Sequence, residues 1–168
     1  MIWQLENTPM RFVFPLGLAF ALAAPAAAGP QAERYVDDRS SPERVVVSLY
    51  NAINRGEYLR AWSYFKADTA PPLDDFSAGY ADTAQVELRL GEVQSEGAAG
   101  SIHSLVPIAL QATGKDGTVT VFTGCYRLTQ VQPGAQAEPP FRPIQIDDGR
   151  LEKSDAPFDA AMGRCETP

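Results

Sequence analysis

The sequence predicts an α+β domain in which about three N-terminal helices pack on a curved, mostly antiparallel four-stranded sheet. One observation is a change of period: from Ser41 to Gly79 apolar residues return every third or fourth position, and from Asp82 they alternate with polar ones. The other is order. Helical and extended segments are segregated along the chain, which gathers helices on one side of an antiparallel sheet.

Residues 29–40 are polar and without period, and read as a flexible arm. A first helix starts at "SSPERVVVSLYNAINRG", with Ser41 as its cap and Pro42 at the first helical position, where a missing N–H costs nothing. Val45, Leu49, Ala52 and Ile53 form its apolar stripe, and Gly56 stands where a left-handed residue ends a helix. Tyr58, Ala61, Trp62 and Phe65 then give a second stripe at i, i+3, i+4 and i+7, stopped by "TAPP". A short third helix fits "LDDFSAGY", ending near Gly79. A sheet curved around these helices would bury the Val45 and Trp62 stripes together.

In "AQVELRLGEV", Val86, Leu88 and Leu90 alternate with Glu87 and Arg89, as on a strand with one wet face. "QSEGAAGS" reads as a connection of small residues. "IHSLVPIALQAT" is the second strand, with Pro107 consigning part of it to an edge or a bulge. "GKDG" is a hairpin turn into "TVTVFTGCYRLTQV", and after the loop "QPGAQAEPP" the segment "FRPIQIDDGRLEKS" gives the fourth strand, bulged at Asp148-Gly149.

The N-terminus has the parts of a secretory signal peptide: Arg11, an apolar run from Phe12 to Ala24, then Pro25 and the small residues Ala26-Ala27-Ala28. Residues 1–28 are read as that signal, cut before Gly29, with Met10 a better start than Met1 because residues 1–9 carry Glu6 and no cation. The apolar run is too short for a stable membrane span. About 140 residues remain, enough for one domain, 41–168 with its tail. The net charge of −7 disfavours nucleic acid and anionic membrane surfaces as partners. In an oxidising compartment the pair Cys125 and Cys165 is expected to form a disulfide. The alternatives are two free thiols or a metal site, the metal disfavoured because the chain has one histidine, distant cysteines and no second ligand cluster.

The helical hairpin "ERVVVSLYNAINRGEYLRAWSYF", followed by a short helix and a sheet, resembles the opening of the nuclear-transport-factor-2-like superfamily. That is the α+β roll shared with ketosteroid isomerases and SnoaL-like polyketide cyclases, and the resemblance covers roughly residues 41–153. It implies a cone-like cavity between the helices and the concave face of the sheet. Some members use that cavity for small apolar ligands or for chemistry, and others serve as binding or accessory modules, so the fold does not choose the function.

Isomerase-like chemistry needs a carboxylate base and a phenol or protonated acid converging in an apolar pocket. Asp82 as base, with Tyr80 or Tyr126 as donor, supplies the residue types; the competing reading is an Asp in a turn beneath a core tyrosine. His103 falls on the strand face of Leu105 and Ala109, opposite Val106, Ile108 and Leu110, unless Pro107 marks a bulge that flips it. No G-x-S-x-G or phosphate loop is present, and the pairs Asp37-Asp38, Asp74-Asp75 and Asp147-Asp148 read as solvated turns rather than calcium loops. Tyr50, Trp62, Tyr80 and Tyr126 are the candidate ligand contacts, since tyrosine and tryptophan add a polar handle to an apolar body.

The sequence reading is therefore an exported, periplasmic or secreted, non-catalytic binding or accessory domain with no cofactor and no metal. Its partner is a small apolar molecule in the cavity, or an envelope protein or second copy of the chain on the sheet. The alternative is an isomerase- or cyclase-like enzyme. Terminal sequencing of the exported protein is expected to begin at Gly29; a mature chain still beginning at Met1 or Met10 would contradict the signal peptide.

Overall fold

The computed structural model describes residues 33–166. The signal segment, its start and its cleavage point lie outside the described residues. The chain folds as an α+β domain of three helices, α1 (Pro42–Asn54), α2 (Tyr58–Trp62) and α3 (Leu73–Gly79), against an open five-stranded antiparallel sheet. Its strands are β1 (Thr83–Leu90), β2 (Gln94–Ala98), β3 (Ser101–Gly114), β4 (Val119–Val131) and β5 (Gln145–Ser154), in the order β1-β3-β4-β5, with β2 paired to the other half of β3.

The helices begin and end as their residues dictate. The Ser41 hydroxyl accepts from the Arg44 N–H, Pro42 occupies the first turn, and Gly56 takes φ +69° after the last turn of α1. The expected stripe of α1 is buried in full: Val45, Val46, Leu49 and Ala52 have no exposed surface. Against them, from the sheet, stand Val106, Ile108, Leu110, Tyr126, Leu128 and Ile146.

The second helix is shorter than its stripe predicts. It stops at Trp62 because the next residues turn to the sheet: Ile146 N–H donates to the Tyr64 carbonyl and Lys66 N–H to the Ile146 carbonyl, both at 2.8 Å. This parallel bridge redirects the side chains. Tyr64 becomes wholly buried, while Trp62 and Phe65 are only half-buried.

The sheet has one strand more than expected. The segment read as a connection contains β2, which is exposed along its whole length and pairs with Ser101–Leu105. Its small and polar side chains show no alternation because neither face is buried, so only the backbone records the strand. Pro107 lies within the central strand rather than at an edge. Its carbonyl accepts from Gly91 N–H, so the side where its own N–H is missing faces the turn between β1 and β2, where no ladder bond is due. The bulge in β5 falls at Asp147, one residue before the expected place.

Both ends of the described chain act as straps. Residues 33–39, expected to be a free arm, are tied to α1: Val36 N–H donates to Asn51 Oδ1 at 2.9 Å and Asp38 N–H to Ser48 Oγ at 2.8 Å. Arg60 donates to the Val36 carbonyl and stacks over Tyr35, with 4.5 Å from guanidinium carbon to ring centroid. Residues 155–165 cross the outer face of the sheet. Arg89 donates to the carbonyls of Phe158 and Ala161, and Gly163 lies so close to β4 that a Cβ there would collide with the Gly124 backbone. The expected disulfide, Cys125–Cys165, ends the strap and closes a sequence separation of 40 residues.

A loop of that length places the disulfide's contribution at about 4 kcal/mol in the chain-entropy account. The urea midpoint of the Cys125→Ser, Cys165→Ser chain should drop accordingly from that of the oxidised parent, with far-UV circular dichroism unchanged. Equal midpoints would mean that the strap holds without its bond.

Candidate functional site

Between α3 and the hairpin end of the sheet lies a cavity of about 910 Å³. Each element contributes by its own periodicity. β1 supplies Val86, β3 Leu110 and Ala112, β4 Phe122 and β5 Leu151, all from the inward-facing positions of an alternating strand. α3 supplies Phe76 and the residue after it Tyr80, whose rings meet edge-to-face at 5.3 Å, and α1 supplies Tyr50. The mouth carries Asp75, Asp82, Asp116, Lys115 and Lys153, so its charges are mixed.

The innermost polar groups are phenols. The Tyr50 and Tyr126 hydroxyls share a hydrogen bond of 2.8 Å in the buried interior. Tyr126 lies flat against Gly149, where a Cβ would collide with its ring, so the glycine makes the space that the aromatic fills. Tyr80 stacks on Tyr58 at 6.4 Å, and its hydroxyl has no hydrogen-bond partner among the described residues. Burial raises all three phenols: Tyr80 is pushed up to about 12, and Tyr50 and Tyr126 well above the ordinary value near 10. They stay protonated, and are donors, at any physiological pH.

Of the four expected ligand contacts, the cavity wall contains Tyr50 and Tyr80. Tyr126 stands one layer behind, reaching the cavity only through Tyr50. Trp62 does not line it. With α2 ending at Trp62, its indole N–H donates to the Pro71 carbonyl at 2.7 Å and the ring buttresses the loop into α3. Asp82 is at the mouth and solvent-exposed, so the apolar surroundings that a catalytic base needs are missing there. Its backbone carbonyl instead accepts from Lys115 N–H at 2.9 Å and ties β1 to the hairpin turn.

His103 is exposed on the outer face, as alternation places it, and outside the cavity. There its Nδ1 lies 3.0 Å from Thr129 Oγ1, which donates to Asp147 at 2.6 Å. Among the described residues no three His, Cys, Asp or Glu side chains are grouped to hold a metal ion, and no helix is long and apolar enough to cross a membrane. Alternation already pointed Val86 and Leu110 inward. Lys115, Lys153 and Leu151 carried no signal, because only the hairpin and the end of β5 bring them to one mouth.

No protein-family model matches the chain, and no curated protein is significantly similar to it.

A tyrosine whose ionisation is raised by burial stabilises the fold fully below its unfolded value near 10, and that stability is lost as pH climbs through it. The urea midpoint should hold steady up to about pH 9.5, then fall between pH 10 and 12, less steeply in Tyr80→Phe. A midpoint that stays flat through pH 12 would contradict the burial of these phenols.

Proposed function

We propose that the chain is an exported, non-catalytic binding domain of the nuclear-transport-factor-2-like kind, whose cone-like cavity takes a small apolar molecule bearing a hydrogen-bond acceptor. The observation that carries this reading is the cavity itself: about 910 Å³, within the range of small-molecule sites, with apolar walls and a phenol hydroxyl left without a protein partner. Tyr80 offers one donor. The Tyr50–Tyr126 pair holds two hydroxyl hydrogens and uses one between its members. With Tyr126 donating, the Tyr50 hydrogen is the second donor to the cavity. Export is supported by the disulfide and by the signal-like N-terminus.

The enzymatic alternative has less support, because the acidic residues at the cavity, Asp75, Asp82 and Asp116, are all exposed at its rim. An envelope protein or a second copy on the sheet has less room than an open face would give, since the C-terminal strap covers its middle, where Ala109 is buried.

Native mass spectrometry of the protein purified from the periplasm should show a retained small molecule, lost in Leu110→Trp, which fills the cavity. Tyr80→Phe should weaken the binding of that molecule about 2- to 10-fold, the worth of one hydrogen bond. If the parent retains nothing and binds an apolar fluorescent probe no better than Leu110→Trp does, the cavity is not a binding site.

A further inference from the structure

We propose that the disulfide builds an oxyanion-binding site on the outer face of the sheet, formed by the guanidinium groups of Arg127, Arg150 and Arg164. The three come together through the bond. Arg150 is the direct cross-strand partner of Cys125, and Arg127 lies two residues on from Cys125, on the same face. Arg164 is brought from the tail because it precedes Cys165, whose Cα is 5.2 Å from that of Cys125. All three line one cavity of about 380 Å³ beside the disulfide, large enough for a phosphate-sized anion.

These guanidiniums are short of partners. Among the described residues, Arg150 and Arg164 make no ion pair and no side-chain hydrogen bond, and Arg127 has a single contact with Asp148 at 3.9 Å. Glu152 and Glu166 line the same cavity, yet neither pairs with an arginine. Against those two carboxylates the three arginines leave the cavity lining with one excess positive charge in a chain of net charge −7. Guanidinium forks suit an anion with several oxygens, because each can donate in parallel to a pair of them. The ligand class is a tetrahedral oxyanion of the phosphate type, free in solution or carried on a lipid headgroup. The site lies on the opposite side of the sheet from the phenol-lined cavity and does not depend on that cavity's role.

Inorganic phosphate titrated into the oxidised chain at constant ionic strength, followed by the arginine Nε–Hε resonances, should give a saturable shift that chloride does not. Arg150→Gln and Arg164→Gln should each weaken it at least about tenfold, the scale of a charged hydrogen bond. Cys165→Ser, with its circular dichroism intact, should weaken it similarly by freeing Arg164. A linear response, an equal response to chloride, or wild-type affinity in either arginine variant would overturn the proposal. Binding to phosphatidylglycerol but not phosphatidylcholine vesicles, displaced by phosphate, would assign the oxyanion to a lipid. Phosphate binding without vesicle binding would assign it to a free ion; both results uphold the site.

Discussion

The hydrogen bond between the Tyr50 and Tyr126 hydroxyls is the side-chain contact that fixes the helical layer to the sheet in the buried interior. At the edge of the sheet Asn54 of α1 adds a second polar tie, donating to the Val86 carbonyl and accepting from the Val86 N–H. Between these points the layers meet largely through apolar side chains, which specify contact but not position. Two phenols meeting tip to tip hold α1 away from β4 by the length of their rings, with centroids 6.4 Å apart. Collapse would strand a buried hydroxyl, at about 1–3 kcal/mol. The cavity beside Tyr50 is therefore kept open by a polar contact that also forms its wall. Gly149 is part of the same constraint, since the Tyr126 ring occupies the volume that any side chain at that position would take.

An open sheet with helices on one face leaves the other face to be managed, and this chain uses its own C-terminal end. The strap leaves β5, passes Arg89 on β1, and returns to β4 at the disulfide. It has no regular secondary structure, so it contributes few backbone bonds of its own and depends on a covalent end. The N-terminal strap is secured by different means. Arg60 donates to Glu57, the Val36 carbonyl, Tyr64 and Asn51, a network in which several modest contacts share one guanidinium. The two ends of the domain thus rely on a bond insensitive to salt and on a charge network that salt screens.

What the sequence made legible is what periodicity can carry. α1 and the inward rows of β1 and β3 are written in side chains that must be buried, and they appear at the expected positions. β2 left no trace because its side chains all face water, and the strand exists only in its ladder to β3. The end of α2 was equally invisible. Trp62 and Phe65 keep helical spacing, but a backbone pairing with Ile146, more than eighty residues away, breaks the helix before that spacing is completed. Of the candidate site, the strands and Tyr50 and Tyr80 could be read. The exclusion of Trp62, the retreat of Tyr126 behind Tyr50 and the lysines at the mouth are tertiary facts with no local signature.

The preference for binding over chemistry in the proposed function rests on where the charged groups stand. Every carboxylate at the cavity belongs to its rim, in water, where an acid keeps little catalytic advantage. The groups inside are phenols whose protons are held more firmly by burial, with Tyr80 at about 12 and its neighbours higher. Such an interior can donate hydrogen bonds and cannot accept a proton at neutral pH. General base chemistry would need a carboxylate or imidazole in the wall, and the one histidine lies on the outer face. An interior of un-ionised phenols behind apolar walls suits a ligand with a hydrogen-bonding group at one point on an apolar body, as the proposed binding role requires. The Tyr50–Tyr126 bond that keeps the space open also fixes where the Tyr50 hydroxyl stands in its wall.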